Sequence, residues 1–200
     1  MRRRDDEDQN RREFTRMLRS RQPGFREAVS ADARITARQR GERCEFRSGF
    51  DTVVHVVRLC WVSDAFLAHV LYRLRTTLAR RRVPLLPRVL HRLSMALSQV
   101  VIGDPVLMHP GVYLIHGQVV VDGITEIGSG AVIGPWVTIG LQARNVLGPT
   151  IGCEVAVGTG AKVIGPLTVG DGATIGAGAV VVSDVGAGAT VVGVPAKAVA

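Results

Sequence analysis

Aliphatic residues return every six positions through the second half of the chain: Ile127, Ile133, Ile139, then Ile151, Val157, Val163, Val169, Ile175 and Val181. Neither an amphipathic helix nor an alternating strand has that period, so the repeat is a supersecondary unit of its own. Most of these aliphatics are followed by Gly, as at Gly128, Gly134, Gly152, Gly158 and Gly176, which suits a corner where a side chain would obstruct the backbone. Four positions after each aliphatic stands a second apolar residue, small or β-branched at Ala131, Val137, Val155, Ala161, Ala173 and Ala179. Two inward positions in six describe short flat strands meeting at corners around a narrow core. About three hexapeptides then make one coil, and the coils stack as parallel strands. The beat begins near Ile102, keeps step at Met108 and Leu114, and slips by one residue around Asp122-Gly123-Ile124.

The first hundred residues follow a different pattern. Residues 1–22 are charged and poor in large apolar groups, which predicts a disordered tail or a loose helix. Gln22-Pro23-Gly24 marks a break, and a helix is expected from Phe25 to about Thr36. Val53 to Leu78 reads as one helix with a broad apolar face that includes Val53, Val57, Trp61, Leu67 and Leu71. Val83-Pro84-Leu85-Leu86-Pro87 is a prolyl turn, after which Arg88 to Leu97 restarts a helix. The expected organisation is α+β: a tail (1–22), a helical domain (23–100) and a β-helix (101–200).

Charge follows the same division. The first hundred residues hold 22 of the 25 Lys and Arg and 11 of the 17 Asp and Glu, whereas 20 of the 23 Gly lie in the second hundred. The net charge of +8 invites a nucleic-acid partner. However, the basic residues are laced with acids and few aromatics, and no zinc-finger, RRM or KH pattern occurs, so none is expected. Cys44, Cys60 and Cys153 are odd in number and widely spaced, which argues against a disulfide framework or a zinc site and for a reducing, cytoplasmic setting. No metal is expected. The apolar stretch Thr52–Tyr72 is interrupted by Arg58, Asp64 and two His, so it reads as a buried amphipathic helix and not a membrane span.

The repeat resembles the hexapeptide-repeat acyltransferases, whose fold is a left-handed parallel β-helix, an exception to the usual crossover hand. Phe66-Leu-Ala-His-Val-Leu-Tyr72-Arg73-Leu74 is similar to the helix that precedes the β-helix in serine acetyltransferases. Ile175-Gly-Ala-Gly-Ala-Val-Val-Val and Val192-Gly193-Val194-Pro195-Ala196-Lys197 resemble the close of the same family. The resemblance covers roughly residues 25–200. It implies an acetyl-CoA-dependent O-acetyltransferase, assembled as a homotrimer or a dimer of trimers, with the coenzyme groove between neighbouring subunits.

His116, in Val112-Tyr-Leu-Ile-His116-Gly117, matches the family's general base. An imidazole suits that role because its ordinary pKa, about 6.5, leaves it neutral and able to accept a proton. Asp104 is the local carboxylate expected to orient the ring, while His109 reads as a coil-corner residue. For the coenzyme the resemblance points to the corners at Thr159 and Ala177, and to Lys162 and Lys197 as point charges for its phosphates. Two family features differ. Ile115 stands where the family has an Asp for the substrate ammonium, and Leu147-Gly148-Pro149 replaces an Arg-His-Pro loop that meets the substrate carboxylate. Serine bound without these partners would leave two charges unpaired, at a cost of several kcal/mol in a dry site. Arg144 and Asp51 are the candidate replacements, and Trp136 is a candidate wall for the acceptor pocket. L-Serine is the first acceptor to consider. The alternatives are a noncatalytic β-helix assembly protein and an acyltransferase acting on a sugar or amino sugar.

Overall fold

The structure, a computed structural model, describes residues 13–143 and 145–199. Five helices precede the coils. They are α1 (residues 13–20 of its described part), α2 (Phe25–Gln39), α3 (Gly49–Val62), α4 (Asp64–Arg80) and α5 (Leu86–Ser98). The expected single helix over 53–78 is in fact two, because Ser63 interrupts it. Its backbone is extended (φ −138°, ψ 108°) and its Oγ accepts the Phe66 N–H at 3.2 Å, so it closes α3 and caps α4. Residues 1–12 lie outside the described residues. Of the expected tail, residues 13–20 are helical, and the segment is pinned beyond them. Arg21 meets the Glu126 carboxylate with both terminal nitrogens, and Gln22 donates to the Val106 carbonyl at 2.7 Å.

About five coils follow. The first is β1 (Val101–Ile102), β2 (Leu107–Met108) and β3 (Tyr113–Leu114), and the second is β4 (Val120–Val121), β5 (Ile124–Ile127) and β6 (Val132–Ile133). The third is β7 (Thr138–Gly140), β8 (Leu147–Ile151) and β9 (Ala156–Val157), and the fourth is β10 (Lys162–Ile164), β11 (Thr168–Val169) and β12 (Thr174–Ile175). β13 (Val180–Val181) and β14 (Thr190–Val192) belong to the fifth, and β15 (Lys197–Ala198) turns back antiparallel on β14. Strands of successive coils pair in parallel into three faces: β1-β4-β7-β10-β13 (face A), β2-β5-β8-β11 (face B) and β3-β6-β9-β12-β14 (face C).

The six-residue beat is the core. From Ile102 to Val181 its residues are each 2 % exposed or less, and the second apolar positions (Val106, Val112, Ala131, Val155, Ala161) are equally sealed. Thr125 takes one of those inward places and donates its hydroxyl to the Asp122 carbonyl at 2.8 Å, so the buried oxygen is satisfied. The corner glycines are required by stacking: a Cβ on Gly158 would stand 2.7 Å from the Ala177 nitrogen of the next coil.

The slip in the beat lies elsewhere than expected. Val101 pairs with Val120, nineteen residues on, whereas Thr138 pairs with Lys162 and Lys162 with Val180 in steps of whole hexapeptides. The extra residue falls between Leu114 and Val121, in the corner that carries His116, and not at Asp122–Ile124. A separate irregularity at Ile124/Glu126 accompanies the longer third coil, where Ile127 pairs with Ile151.

The helices cap the first coil through a buried ion pair. Arg73 on α4 donates Nε to Asp32 Oδ2 of α2 at 2.9 Å and its terminal nitrogens to the Met108 and His109 carbonyls at 2.6 and 2.9 Å. Asp32 Oδ1 accepts the Gly111 N–H at 2.8 Å. Tyr72 beside it donates to the Val106 carbonyl at 2.8 Å.

Candidate active site

His116 sits in the bend after β3, at the corner between faces C and A. The preceding residue is tied into the stack, since the Ile115 N–H donates to the Ile133 carbonyl at 3.0 Å. Gln118 then adopts φ 60°, and the one-residue insertion lifts His116 to the surface. The residue is exposed, and among the described residues its ring has no hydrogen-bond partner.

The helices close over this corner. A Cβ on Gly117 would meet the Ser98 carbonyl oxygen at the end of α5 at 2.1 Å and the Asp64 Oδ2 at the start of α4 at 3.1 Å. Only glycine fits there, and the fit brings a carboxylate to the residue next to His116. Asp64 was not visible as a site residue in the sequence. The signal was its place just after the Ser63 cap, a position that a single long helix conceals.

Asp104 is placed differently. It lies at the corner between faces A and B, where its carboxylate stands 3.9 Å from Arg19 and 3.8 Å from Arg75. The structure does not bring it to His116, because two corners of one coil are separated by a whole strand and the core. Asp51 is likewise engaged. Its oxygens accept from Arg43 Nη2 at 2.7 Å and the Arg47 N–H at 2.8 Å, bonds that hold its carboxyl below the usual range, and none of its partners comes from the coils. Arg144 lies outside the described residues. His109 is a corner residue as expected, with Nε2 2.8 Å from Glu126 Oε1.

Three predicted residues share the His116 edge. Trp136, Thr159 and Ala177 occupy the corners between faces C and A in the following coils. Those corners are stacked directly: the Gly160 N–H donates to the Pro135 carbonyl at 2.9 Å and the Gly178 N–H to the Thr159 carbonyl at 2.8 Å. At one coil per strand spacing, the edge from His116 to Ala177 runs roughly 14 Å. Trp136 is 60 % exposed and held at φ 63°, a conformation that a bulky residue rarely adopts and that clusters at functional sites. Lys162 donates Nζ to the Trp136 carbonyl at 2.6 Å and so braces that corner. Lys197 is exposed on β15, opposite Val192. Gly148, in the stretch that replaces the Arg-His-Pro loop, is closed: a Cβ there would stand 2.0 Å from Thr125 Oγ1. Among the described residues no cluster of metal-ligating side chains occurs, and no helix is long and apolar enough to cross a membrane.

No protein-family model matches the chain, and no curated protein sequence matches it. Solved structures do. Serine acetyltransferase from Brucella abortus strain S19 superposes with a TM-score of 0.73 at 23 % identity, over 94 % of this chain and 74 % of that one. A serine acetyltransferase in complex with CoA gives 0.73 at 25 % identity over 94 % and 75 %, and the Neisseria gonorrhoeae enzyme in complex with serine gives 0.63 at 26 % over 88 % and 69 %. The fold is that of the serine acetyltransferases. A superposition spanning helices and coils together also fixes the winding, because a β-helix of the opposite hand would not overlay. The coils are therefore the left-handed β-helix of hexapeptide-repeat acyltransferases.

Proposed function

We propose that the protein is an O-acetyltransferase that moves an acetyl group from acetyl-CoA to a small hydroxylated acceptor, with His116 as general base. The observation that carries this reading is the edge on which His116, Trp136, Thr159 and Ala177 line up in a fold shared with serine acetyltransferases, one of them a complex with CoA. Small side chains and glycines at the Thr159 and Ala177 corners leave room for a pantetheine arm along the edge, with Lys197 beyond it for a phosphate.

In the proposed reaction, neutral His116 takes the proton of the acceptor hydroxyl as its oxygen attacks the thioester carbonyl carbon. The carbon–sulfur bond breaks, and the imidazolium returns the proton to the departing thiolate. The products are an acetyl ester and free CoA. Asp64, and not Asp104, is the carboxylate on the His116 side of the coil in this scheme. L-Serine remains the first acceptor to test. Ile115 and the closed position at Gly148 favour an acceptor with fewer charges, such as a neutral hydroxylated metabolite or a sugar. A thiol-release assay across acceptors tests the scheme, and His116→Ala is expected to lower turnover about 10²–10⁴-fold. Full turnover in that variant would remove His116 from the mechanism.

Sealing of position 148 by Thr125 also favours one other reading, a noncatalytic assembly protein. Calorimetry separates the two: a scaffold takes up no acetyl-CoA at millimolar concentration. We further propose a homotrimer that pairs into a dimer of trimers, supported by the exposed apolar stripe on α3 (Phe50, Val53, Val57, Trp61). The three free cysteines, Cys44, Cys60 and Cys153, support a cytoplasmic setting.

A further inference from the structure

A second concave site lies away from the His116 edge, at the corner between faces A and B of the first coil. It is a cleft of about 650 Å³, within the range of small-molecule pockets, roughly 300–1,000 Å³. Five guanidinium groups line it: Arg19 from α1, Arg75 and Arg82 from α4 and the turn after it, and Arg88 and Arg92 from α5. Asp104 is the one carboxylate among the lining residues.

Arg75 shows that the cleft is built and not a chance meeting of surface charges. Its side chain is 5 % exposed, with Nη1 and Nη2 donating to the Ile102 and Gly103 carbonyls at 2.7 and 2.9 Å. Its Nε has no partner among the described residues, an orphaned donor in a buried guanidinium. His91 Nδ1 lies 2.7 Å from Arg75 Nη1, and because a guanidinium only donates, that nitrogen accepts and the ring proton sits on Nε2. Burial, and then the charge of Arg75, push His91 below the ordinary imidazole range, so it is a neutral donor at pH 7. The opposite wall is apolar (Val83, Pro84, Leu85), and its turn holds two non-glycine residues in the left-handed region, Arg82 at φ 57° and Leu85 at φ 62°. Such strain persists where the surroundings over-determine it, often at ligand sites.

We infer that this cleft binds a phosphate ester: guanidinium forks take the phosphate oxygens, and the prolyl turn packs against the body of the ligand. The site is independent of the proposed acetyl transfer, and it stands whether or not His116 is catalytic.

Calorimetry of the full chain with inorganic pyrophosphate tests it. The expected result is that the double variant Arg88→Ala/Arg92→Ala, both exposed residues, weakens pyrophosphate binding at least about tenfold. Arg38→Ala, outside the cleft, should have no effect on pyrophosphate. Absence of pyrophosphate binding, or equal losses in the Arg38→Ala and double variants, overturns the inference. Sedimentation with phosphatidylglycerol vesicles identifies the source of the phosphate. Vesicle binding that pyrophosphate reverses assigns a lipid headgroup, and a chain that stays in the supernatant while binding pyrophosphate assigns a soluble ester; either result upholds the site.

Discussion

His69 is buried on α4 with its Nε2 unpartnered among the described residues. Burial lowers its pKa to about 4, and the attraction of Asp32 only partly opposes this. In the unfolded chain the ring titrates near its ordinary value, so between pH 6.5 and 4 the unfolded state binds a proton that the folded state refuses. Stability is therefore full above pH 6.5 and falls as the pH drops, by roughly 3 kcal/mol across that window. His69→Leu removes the effect, and urea midpoints at pH 7 and pH 4.5 are expected to lie closer together in that variant than in the native chain. Glu126 does not mimic this. Burial raises its pKa, but hydrogen bonds from His109 and Arg21 outweigh it, so its contribution is lost only at more acid pH, below the ordinary 4.5. At the candidate site, Asp64→Asn is expected to lower turnover in the thiol-release assay, because its carboxylate stands beside Gly117. Asp104→Asn, at another corner of the coil, leaves turnover alone.

At the scale of elements, the helices and the coils meet through Arg73 and Asp32. Both are nearly inaccessible, and together they bond to α2, α4 and the backbone of the first coil. Removing one partner strands the other charge, so Arg73→Ala is expected to cost about 3–5 kcal/mol in chemical denaturation. Replacing an exposed arginine such as Arg38 is expected to be nearly neutral. The Tyr72-Arg73 pair was legible as a family feature, but its job was not, because its partners lie more than thirty residues away in both directions. The coils were legible because stacking imposes their period on every turn. The slip was misplaced because Val119-Val120-Val121 offers three equivalent residues for the inward position, so the phase cannot be read through them. Only pairing of Val121 with Ile102 shows that the extra residue precedes them and belongs to His116. The break at Ser63 was hidden because apolar residues run on both sides of it. Asp64 escaped for the related reason that its nearness to Gly117 is tertiary, and Asp104 lies near the family's orienting Asp in sequence but at another corner of the coil.

At the scale of the whole molecule, α3 carries large apolar side chains that a lone chain leaves in water. On α3, Phe50 and Trp61 are 80 % and 90 % exposed, and Val53 and Val57 complete a stripe at helical spacing. Contiguous apolar patches of this kind mark interaction surfaces. The outward row of face A, Val101, Val120, Thr138, Lys162 and Val180, mixes three valines with two polar residues and borders the His116 edge. In the assembly proposed above, the α3 stripe is the contact between two trimers and the coil edges join the three subunits of each. The native chain is therefore expected to run as a hexamer in light scattering. Val57→Glu/Trp61→Glu places charges in the α3 contact, where unpaired burial is prohibitive, and is expected to give trimers that keep turnover per subunit. A Trp136→Glu change on the coil edge should act differently, lowering turnover because that corner neighbours the base. A native chain that is monomeric at micromolar concentration would refute the assembly, and hexamers that persist in the α3 double variant would move the trimer–trimer contact elsewhere.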